Sequence, residues 1–274
     1  MIEYFVDKEE KHKEDLLVHL RAHNAANVED KTKESRYIYL YKNNQLIGAV
    51  TIKFGWSWVG YDSLYYMDLD VLRALISESV QVFKGLPVGY KMYSSAEQRI
   101  KDLLQAGFKI IGTTPGTTSS GDTIYLDLVN LEYNHNYNYE VRVLEEELES
   151  HKGFIDEYLK EYKRKNNLNI LQEEILYVAM DNDVFCGGIY LQAYQDSLYV
   201  DLLAVNVDYR GRNIGTKLME FAEKYARERN FESIDLGTTE FQARPFYEKL
   251  GYKVVFTRQN YPIGYECYTL HKKL

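Results

Sequence analysis

The sequence predicts an α/β protein with two domains in tandem, and three observations lead to this prediction. The chain has 274 residues, about the length of two domains of ordinary size. Helical and strand-like spacings of hydrophobic residues alternate along both halves. Three short segments of the first half also recur, in the same order, in the second half. We therefore expect one domain at residues 1–132 and another at residues 138–274.

The three matches of this repeat mark equivalent elements of the two halves. The first is a pair of strands around a tight turn, the second lies in a strand, and the third includes a glycine. The intervals between the matches differ by a few residues, as expected if insertions fall in loops. The pairs are 39–48 with 177–187, 62–65 with 196–199, and 106–110 with 250–254.

The elements of the first half follow from periodicity. Apolar spacing predicts helices at 12–23 and 71–80, and strands at 36–42, 46–54 and near 63–69. Asparagine is dense between Asn130 and Glu140 and disfavours regular structure, so this segment is the predicted linker. Its alternating tyrosines are also compatible with an edge strand.

The second half opens with a predicted helix, whose apolar residues recur at roughly helical spacing: Leu144, Leu148, Ile155, Leu159 and Tyr162. After it we expect strands at 174–180, 184–194 and 197–205, a helix at 216–229, a strand at 233–237, a short helix around Tyr247, and strands at 252–258 and 264–271.

The segment Leu203–Gly215 is the most informative part of the chain. It runs from an apolar strand through a glycine-bearing turn directly into a helix. The first N–H groups of a helix lack partners within it and lie at the positive end of its dipole, so such a turn binds phosphates well. The spacing is neither that of a Walker loop nor that of GxGxxG. An ordinary strand-to-helix connection is the alternative interpretation.

A second signature follows at Phe246–Tyr252. Pro245 stands where a helix begins and Gly251 where the same short helix must end. Taken alone, Tyr247 could be a core aromatic in a chain that contains 26 tyrosines.

Together the two segments resemble the acetyl-CoA signatures of the GNAT acyltransferases. Arg210–Gly215 resembles the family's Arg/Gln-x-x-Gly-x-Gly/Ala turn, and Phe246–Tyr252 resembles its Phe-Tyr-x-Lys-Leu-Gly-Tyr/Phe helix. Asn213 stands where the family usually has glycine, and asparagine tolerates a left-handed backbone well. The resemblance implies that each domain is a mixed, mostly antiparallel twisted sheet flanked by helices.

The resemblance also implies the roles of individual residues. The strand before the turn separates from its neighbour, and its backbone pairs with the pantetheine arm. Tyr247 contacts coenzyme A beside the sulfur and gives a proton to the departing thiolate, for which a phenol pKa near 10 is suitable. The strand residues are Leu203, Ala204 and Val205, and the pyrophosphate-binding turn consists of Arg210, Gly211, Arg212, Asn213, Ile214, Gly215 and Thr216.

Asp201 is the predicted base or binding group for the amine. Regular alternation places it on one strand face with Tyr199, Leu203 and Val205. A charged residue in an apolar strand needs a partner or a function, so the alternative is a structural hydrogen-bond anchor. Asp235 and Glu240 are the reserve candidates.

The first domain departs from both signatures. No glycine separates the strand near 63–69 from the helix at 71–80, and Asp68 and Asp70 would repel a phosphate. The repeat matches Leu103 with Tyr247, and leucine has no proton to give. We expect this domain to bind no coenzyme A and to pack on the second domain, where it walls part of the substrate cleft.

Composition narrows the class of partner. The net charge of −8 disfavours nucleic acid and mildly favours an amine-bearing substrate. The sequence shows neither a membrane-length apolar run nor a signal-peptide pattern, and its two cysteines have no metal-ligand spacing, so we expect a cytoplasmic protein without a metal. His12, His19 and His23 are expected on a helix surface.

The sequence thus predicts an N-acetyltransferase that moves an acetyl group from acetyl-CoA to a primary amine of a small molecule. Two alternatives stay open. The first is a non-catalytic protein that binds acyl-CoA or a partner, in which Tyr247 only packs. The second is a peptide or protein N-acetyltransferase, which needs a groove open at both ends.

Overall fold

Two seven-stranded sheets form the framework of the protein. We describe a computed structural model that covers residues 1–25, 27–28, 34–55, 58–84, 86–115, 121–130, 139–166, 173–194 and 197–274. The strands are β1 (Ile2–Val6), β2 (Glu34–Lys42), β3 (Gln45–Gly55), β4 (Trp58–Tyr66), β5 (Val88–Tyr93), β6 (Phe108–Thr114), β7 (Thr123–Leu128), β8 (Glu140–Leu144), β9 (Glu173–Asp181), β10 (Val184–Ala193), β11 (Ser197–Val205), β12 (Ser233–Thr239), β13 (Lys253–Arg258) and β14 (Cys267–Lys273). The helices are α1 (Lys13–Asn24), α2 (Leu69–Val82), α3 (Glu97–Gln105), α4 (Glu149–Lys165), α5 (Ile214–Glu228) and α6 (Arg244–Lys249).

The chain divides into two units that cross the predicted domain boundaries. Unit 1 consists of Met1–Asp30 with Asn169–Leu274, and unit 2 consists of Lys31–Leu168. The prediction placed the divide between residues 132 and 138, and residues 131–138 of the predicted linker lie outside the described residues. Glu140, the last residue of that linker, begins β8.

Strand pairing explains this division. β1 pairs antiparallel with β9, from Ile2 opposite Asp181 to Val6 opposite Tyr177. β8 pairs antiparallel with β2. In each unit, one edge strand and the helix after it therefore come from the other half of the sequence. These elements are β1 and α1 in unit 1, and β8 and α4 in unit 2.

The two sheets have the same strand order. Unit 1 is arranged β1-β9-β10-β11-β12-β14-β13, and unit 2 is arranged β8-β2-β3-β4-β5-β7-β6. All neighbouring strands are antiparallel except β11 with β12 and β4 with β5. The predicted mixed, mostly antiparallel sheets flanked by helices are therefore confirmed.

The helices of unit 1 bury apolar residues on both faces of its sheet. The face of α5 that carries Leu218 and Ala222 packs into the main core. On the other side, Leu16 of α1 packs against Val178, Phe185 and neighbouring residues of β9 and β10. Both helices therefore have fixed positions beside β11.

One predicted helix begins later than expected. Leu144 ends β8, and α4 begins only at Glu149. Leu144 and Leu148 nevertheless pack against the same small core cluster as Ile155 and Leu159. The apolar spacing thus marked a shared core and not one continuous helix.

No helix among the described residues is long and apolar enough to cross a membrane.

Candidate active site

The site begins where the two parallel strands of unit 1 stop pairing. β11 and β12 pair from Ser197 opposite Ser233 to Val200 opposite Leu236, and their registered pairing ends there. On its other side β11 stays paired with β10, as far as Val205 opposite Gly187. The stretch that follows Val200 therefore turns one backbone edge toward an opening in the sheet.

A β-bulge changes which side chains of β11 share a face. Leu202 lies opposite Tyr190 and Val200 lies opposite Leu191, which leaves Asp201 as the extra residue. Leu203 and Val205 therefore pack with Val200 into the main core. The predicted common face of Asp201, Leu203 and Val205 is wrong, because regular alternation does not continue through a bulge.

Asp201 itself is exposed. Burial, and next the negative charge of Asp201, raise the pKa of Tyr194. Asp201 does not belong to the residues that line the cavity described below.

The turn before α5 has the geometry that the signature predicts. Gly211 has φ +78° and Asn213 has φ +60°, so both adopt the left-handed conformation. The first helical N–H that bonds back to the turn is that of Lys217, which donates to the Asn213 carbonyl at 3.0 Å. The N–H groups of the three residues before Lys217 have no partner within the helix. Unpaired N–H groups at the positive end of a helix dipole favour an anionic group beside them.

Gly215 allows the turn to pack closely against the ring of Phe246. A Cβ built on Gly215 would lie 3.3 Å from the Phe246 ring and 3.6 Å from Val205. Two exposed arginines flank the turn: Arg210 Nε lies 3.5 Å from the Val205 carbonyl, and the Arg212 guanidinium lies 4.7 Å from the ring centre of Tyr209.

Tyr247 lies on α6, in which Pro245 belongs to the first turn, as expected of a proline near a helix start. Its side chain is only 7% exposed and packs edge-on against Phe246, with ring centres 5.1 Å apart. Burial raises the pKa of the Tyr247 phenol above its ordinary value of 10.0, in contrast to the ordinary pKa that the sequence predicts. The phenol therefore stays protonated throughout the neutral range.

One cavity of about 470 Å³ joins these features, and its volume lies within the range of small-molecule sites. Of the predicted cofactor-binding residues, Arg212 alone is not part of its lining. The lining residues are His19, Leu20, His23, Leu203, Ala204, Val205, Tyr209, Arg210, Gly211, Asn213, Ile214, Gly215, Thr216, Gln242, Ala243, Phe246 and Tyr247.

Helix α1 supplies one wall of the cavity, which the sequence analysis did not foresee. His19 and His23, expected on a helix surface, are half-buried and face the cavity. The His19 ring stacks on Phe185, with ring centres 5.4 Å apart. Gln242 Nε2 donates to Asn24 Oδ1 at 2.9 Å, which connects the end of α1 to the segment that leads into α6. The sequence did not place His19 and His23 at this site, because it predicts α1 in the other domain.

Unit 2 has large side chains at the positions that line the cavity in unit 1. Tyr66 pairs with Gly48 as Val205 pairs with Gly187, so Tyr66 is the counterpart of Val205. Leu103 is the counterpart of Tyr247. Arg99 lies one helical turn before Leu103 in α3, and its side chain is only 4% exposed.

Arg99 fills this region together with tyrosines. Its guanidinium lies 3.8 Å from the ring centre of Tyr162 and 5.6 Å from that of Tyr66, and Nη2 lies 3.3 Å from the Tyr158 hydroxyl. The Asp68 carboxylate also caps α2, because it accepts a hydrogen bond from the Val71 N–H at 2.9 Å. The helix end that is open in unit 1 thus carries a negative charge in unit 2.

Comparison with known proteins agrees with this geometry. The model of the acetyltransferase (GNAT) family matches residues 139–252. Blasticidin-S acetyltransferase of Streptomyces morookaense is 34% identical over 100 residues, which are 36% of this chain and 73% of that protein. N-alpha-acetyltransferase 30 of Schizosaccharomyces pombe is 33% identical over 86 residues, which are 29% of this chain and 57% of that protein.

Among solved structures, an acetyltransferase from Bacillus cereus ATCC 14579 is 25% identical and has a TM-score of 0.42. The match covers 48% of this chain and 96% of that chain. From the family model and the relative of which it covers 73%, the chain belongs to the GNAT family and is an acyl-CoA-dependent N-acetyltransferase.

Proposed function

We propose that unit 1 transfers an acetyl group from acetyl-CoA to a primary amine of a small molecule. The observation that carries this proposal is a single cavity lined both by the turn before α5 and by Tyr247. An anion-binding turn and a protonated phenol in one cavity meet two needs of acyl transfer from a coenzyme thioester, which are anchorage and a proton source.

The turn fits the diphosphate of coenzyme A. The left-handed conformations of Gly211 and Asn213 leave the backbone open, and the first N–H groups of α5 lack helical partners. We assign the pyrophosphate to residues 210–216, with Arg212 at the rim for outlying phosphates. The backbone edge of Leu203–Val205 that is not paired with β12 suits the pantetheine arm, which it would hold like an added strand.

Tyr247 is the proposed proton donor. Acetyl-CoA, when bound, supplies the acyl group as a thioester, and the departing sulfur needs a proton. A phenol is protonated in the neutral range and can therefore give a proton to the sulfur. The burial that raises the pKa of Tyr247 makes it a weaker acid than an ordinary phenol. The proton has to pass to the sulfur as the C–S bond breaks, because only the developing thiolate is basic enough to accept it.

The predicted carboxylates have less structural support. Asp201 lies in an exposed bulge. Asp235 Oδ1 is engaged with His271 Nδ1 at 2.9 Å, and Glu240 Oε2 lies 3.4 Å from the Glu266 N–H. None of the three belongs to the cavity lining. A role for Asp201 with the amine remains a prediction.

We also propose that the two units are tandem GNAT-like domains, of which only unit 1 binds coenzyme A. The identical strand order of the two sheets supports a common architecture. The Asp68 cap and the buried Arg99 support the loss of binding in unit 2, since one places a carboxylate at the helix N-terminus and the other fills the opening with side chains.

The names of two relatives point to different classes of acceptor substrate. Blasticidin-S acetyltransferase is named for a small molecule, whereas N-alpha-acetyltransferase 30 is named for α-amino acetylation. We favour a small molecule, because α1 closes one side of the cavity of unit 1. An acyl-CoA-binding protein without turnover is the remaining alternative.

An acceptor screen tests these possibilities. The full chain is incubated with acetyl-CoA and, separately, with blasticidin S, spermidine or a peptide that has a free N-terminus. Thiol release and product mass are measured, with a Tyr247→Phe variant and an enzyme-free sample as controls. We expect an acetylated small amine. An acetylated peptide alone would support the peptide alternative, and bound coenzyme A without any product would support the non-catalytic one.

A further inference from the structure

The lining of the cavity narrows the search for a base. Among the described residues that line it, His19 and His23 have the side chains that commonly act as bases near neutral pH. Both belong to α1, and they stand one helical turn apart. The carboxylates considered from the sequence do not share the cavity with Tyr247.

The two histidines differ in their positions on α1 and in their neighbours. His23 lies in the last turn of α1, where the helix dipole favours a positively charged side chain. The next residue, Asn24, accepts the hydrogen bond from Gln242. His23 is therefore held near the start of the helix that carries Tyr247. His19, in contrast, lies flat on Phe185, with an interplanar angle of 11°.

We propose that His23 accepts the proton that the acceptor amine loses before it attacks. The inference rests on the proposed function and adds to it the identity of the base. His19 is assigned to packing along the wall of the cavity and not to proton transfer.

The proton balance of the step is as follows. The ammonium form of the acceptor gives one proton to the His23 imidazole, and the neutral amine then attacks. A C–N bond forms and the C–S bond breaks, with its electron pair left on sulfur. The nitrogen loses a second proton, which restores the phenol of Tyr247 after that phenol has protonated the thiolate. One proton is released to solvent overall, through His23.

In the part of the chain that the structure describes, the ionisable groups that share the cavity with His23 are His19, Tyr209, Arg210 and Tyr247. Arginine, tyrosine and an alkyl ammonium ordinarily titrate above the neutral range, so a limb there that differs between variants points to the substituted residue. A pair of single substitutions therefore separates their contributions.

The test compares His23→Gln, His19→Gln and wild type in the full chain, with the best amine of the acceptor screen. Calorimetry of coenzyme A binding and thermal unfolding verify that each variant is folded. We expect His23→Gln to lower kcat/KM for the amine at least about tenfold, since general base catalysis contributes roughly 10²–10⁴-fold. It should also remove the acid limb of the pH profile, whereas His19→Gln should keep that limb.

A binding measurement adds a readout independent of turnover. Histidine ring signals in NMR spectra are assigned by their loss in each variant, and the amine is then added together with coenzyme A. We expect the His23 signal to shift more than the His19 signal. An acid limb retained in His23→Gln, or lost in His19→Gln, contradicts the assignment. If wild type acetylates no amine, the proposed function fails and the base assignment fails with it.

Discussion

Gln242 donates a hydrogen bond to Asn24 at 2.9 Å, although the two residues are 218 positions apart in the chain. The Gln242 Oε1 atom in turn accepts a hydrogen bond from the Thr239 N–H at 2.9 Å. One amide side chain thus holds together the last residue of α1, the end of β12 and the approach to α6. This links a segment near the start of the chain to the Tyr247 side of the cavity.

Loss of this bond should weaken both stability and activity. Asn24→Ala leaves a donor of Gln242 without its partner, so we expect a loss of about 1–3 kcal/mol in the free energy of unfolding. The kcat/KM for the amine should fall as well, because α1 carries the wall with His23. Denaturant unfolding of Asn24→Ala, Gln242→Ala and the double variant checks this. Additive effects of the two substitutions would mean that the bond contributes nothing.

Gly215→Asp should greatly weaken coenzyme A binding. The new side chain begins 3.3 Å from the Phe246 ring and adds a negative charge to an anion-binding turn. We expect an affinity at least about tenfold lower, which corresponds to about 1.4 kcal/mol. Gly153→Asp in α4 is the matched control, because a Cβ there meets nothing within 4 Å. Equal coenzyme A affinities of the two variants, measured by calorimetry, would show that the turn does not bind coenzyme A.

Tyr247→Phe should keep coenzyme A affinity and lower kcat at least about tenfold, because general acid assistance contributes roughly 10²–10⁴-fold. Tyr252→Phe is the control, since Tyr252 is a buried neighbour of Tyr247 in the same core but lies outside the cavity lining. A kcat unchanged in Tyr247→Phe would show that water protonates the thiolate or that another step limits turnover.

Asp201→Asn should have little effect on thermal stability, because the side chain is exposed in a bulge. We also expect kcat/KM for the amine to stay within about threefold of wild type, a change of less than 1 kcal/mol in the barrier. A larger loss of activity with unchanged stability would restore Asp201 as the group that binds or deprotonates the amine. Thermal unfolding and a pH–rate profile distinguish these outcomes.

The local parts of the site could be predicted from the sequence, and the long-range parts could not. The turn with Asn213 and the short helix with Tyr247 depend on neighbouring residues, whose conformational preferences are visible in the chain. The pairing of β1 with β9 joins residues about 180 positions apart, and no local pattern specifies it. The helix with His23 was therefore expected in the first domain, whereas it belongs to unit 1.

The β-bulge of β11 was also invisible in the sequence. Leu198–Val205 consists of apolar residues apart from Tyr199 and Asp201, and such a run is compatible with either register. The bulge moves Asp201 outward and returns Leu203 to the core face. The raised pKa of Tyr247 follows from burial, which depends on the packing of α6 and cannot be derived from residue spacing.

A calorimetric titration of the full chain with coenzyme A tests the central claim most directly. The account predicts one equivalent per chain, bound by unit 1, with binding abolished or strongly weakened in Gly215→Asp. Wild type that binds no coenzyme A, or that binds two equivalents, would contradict the assignment of a single site to unit 1.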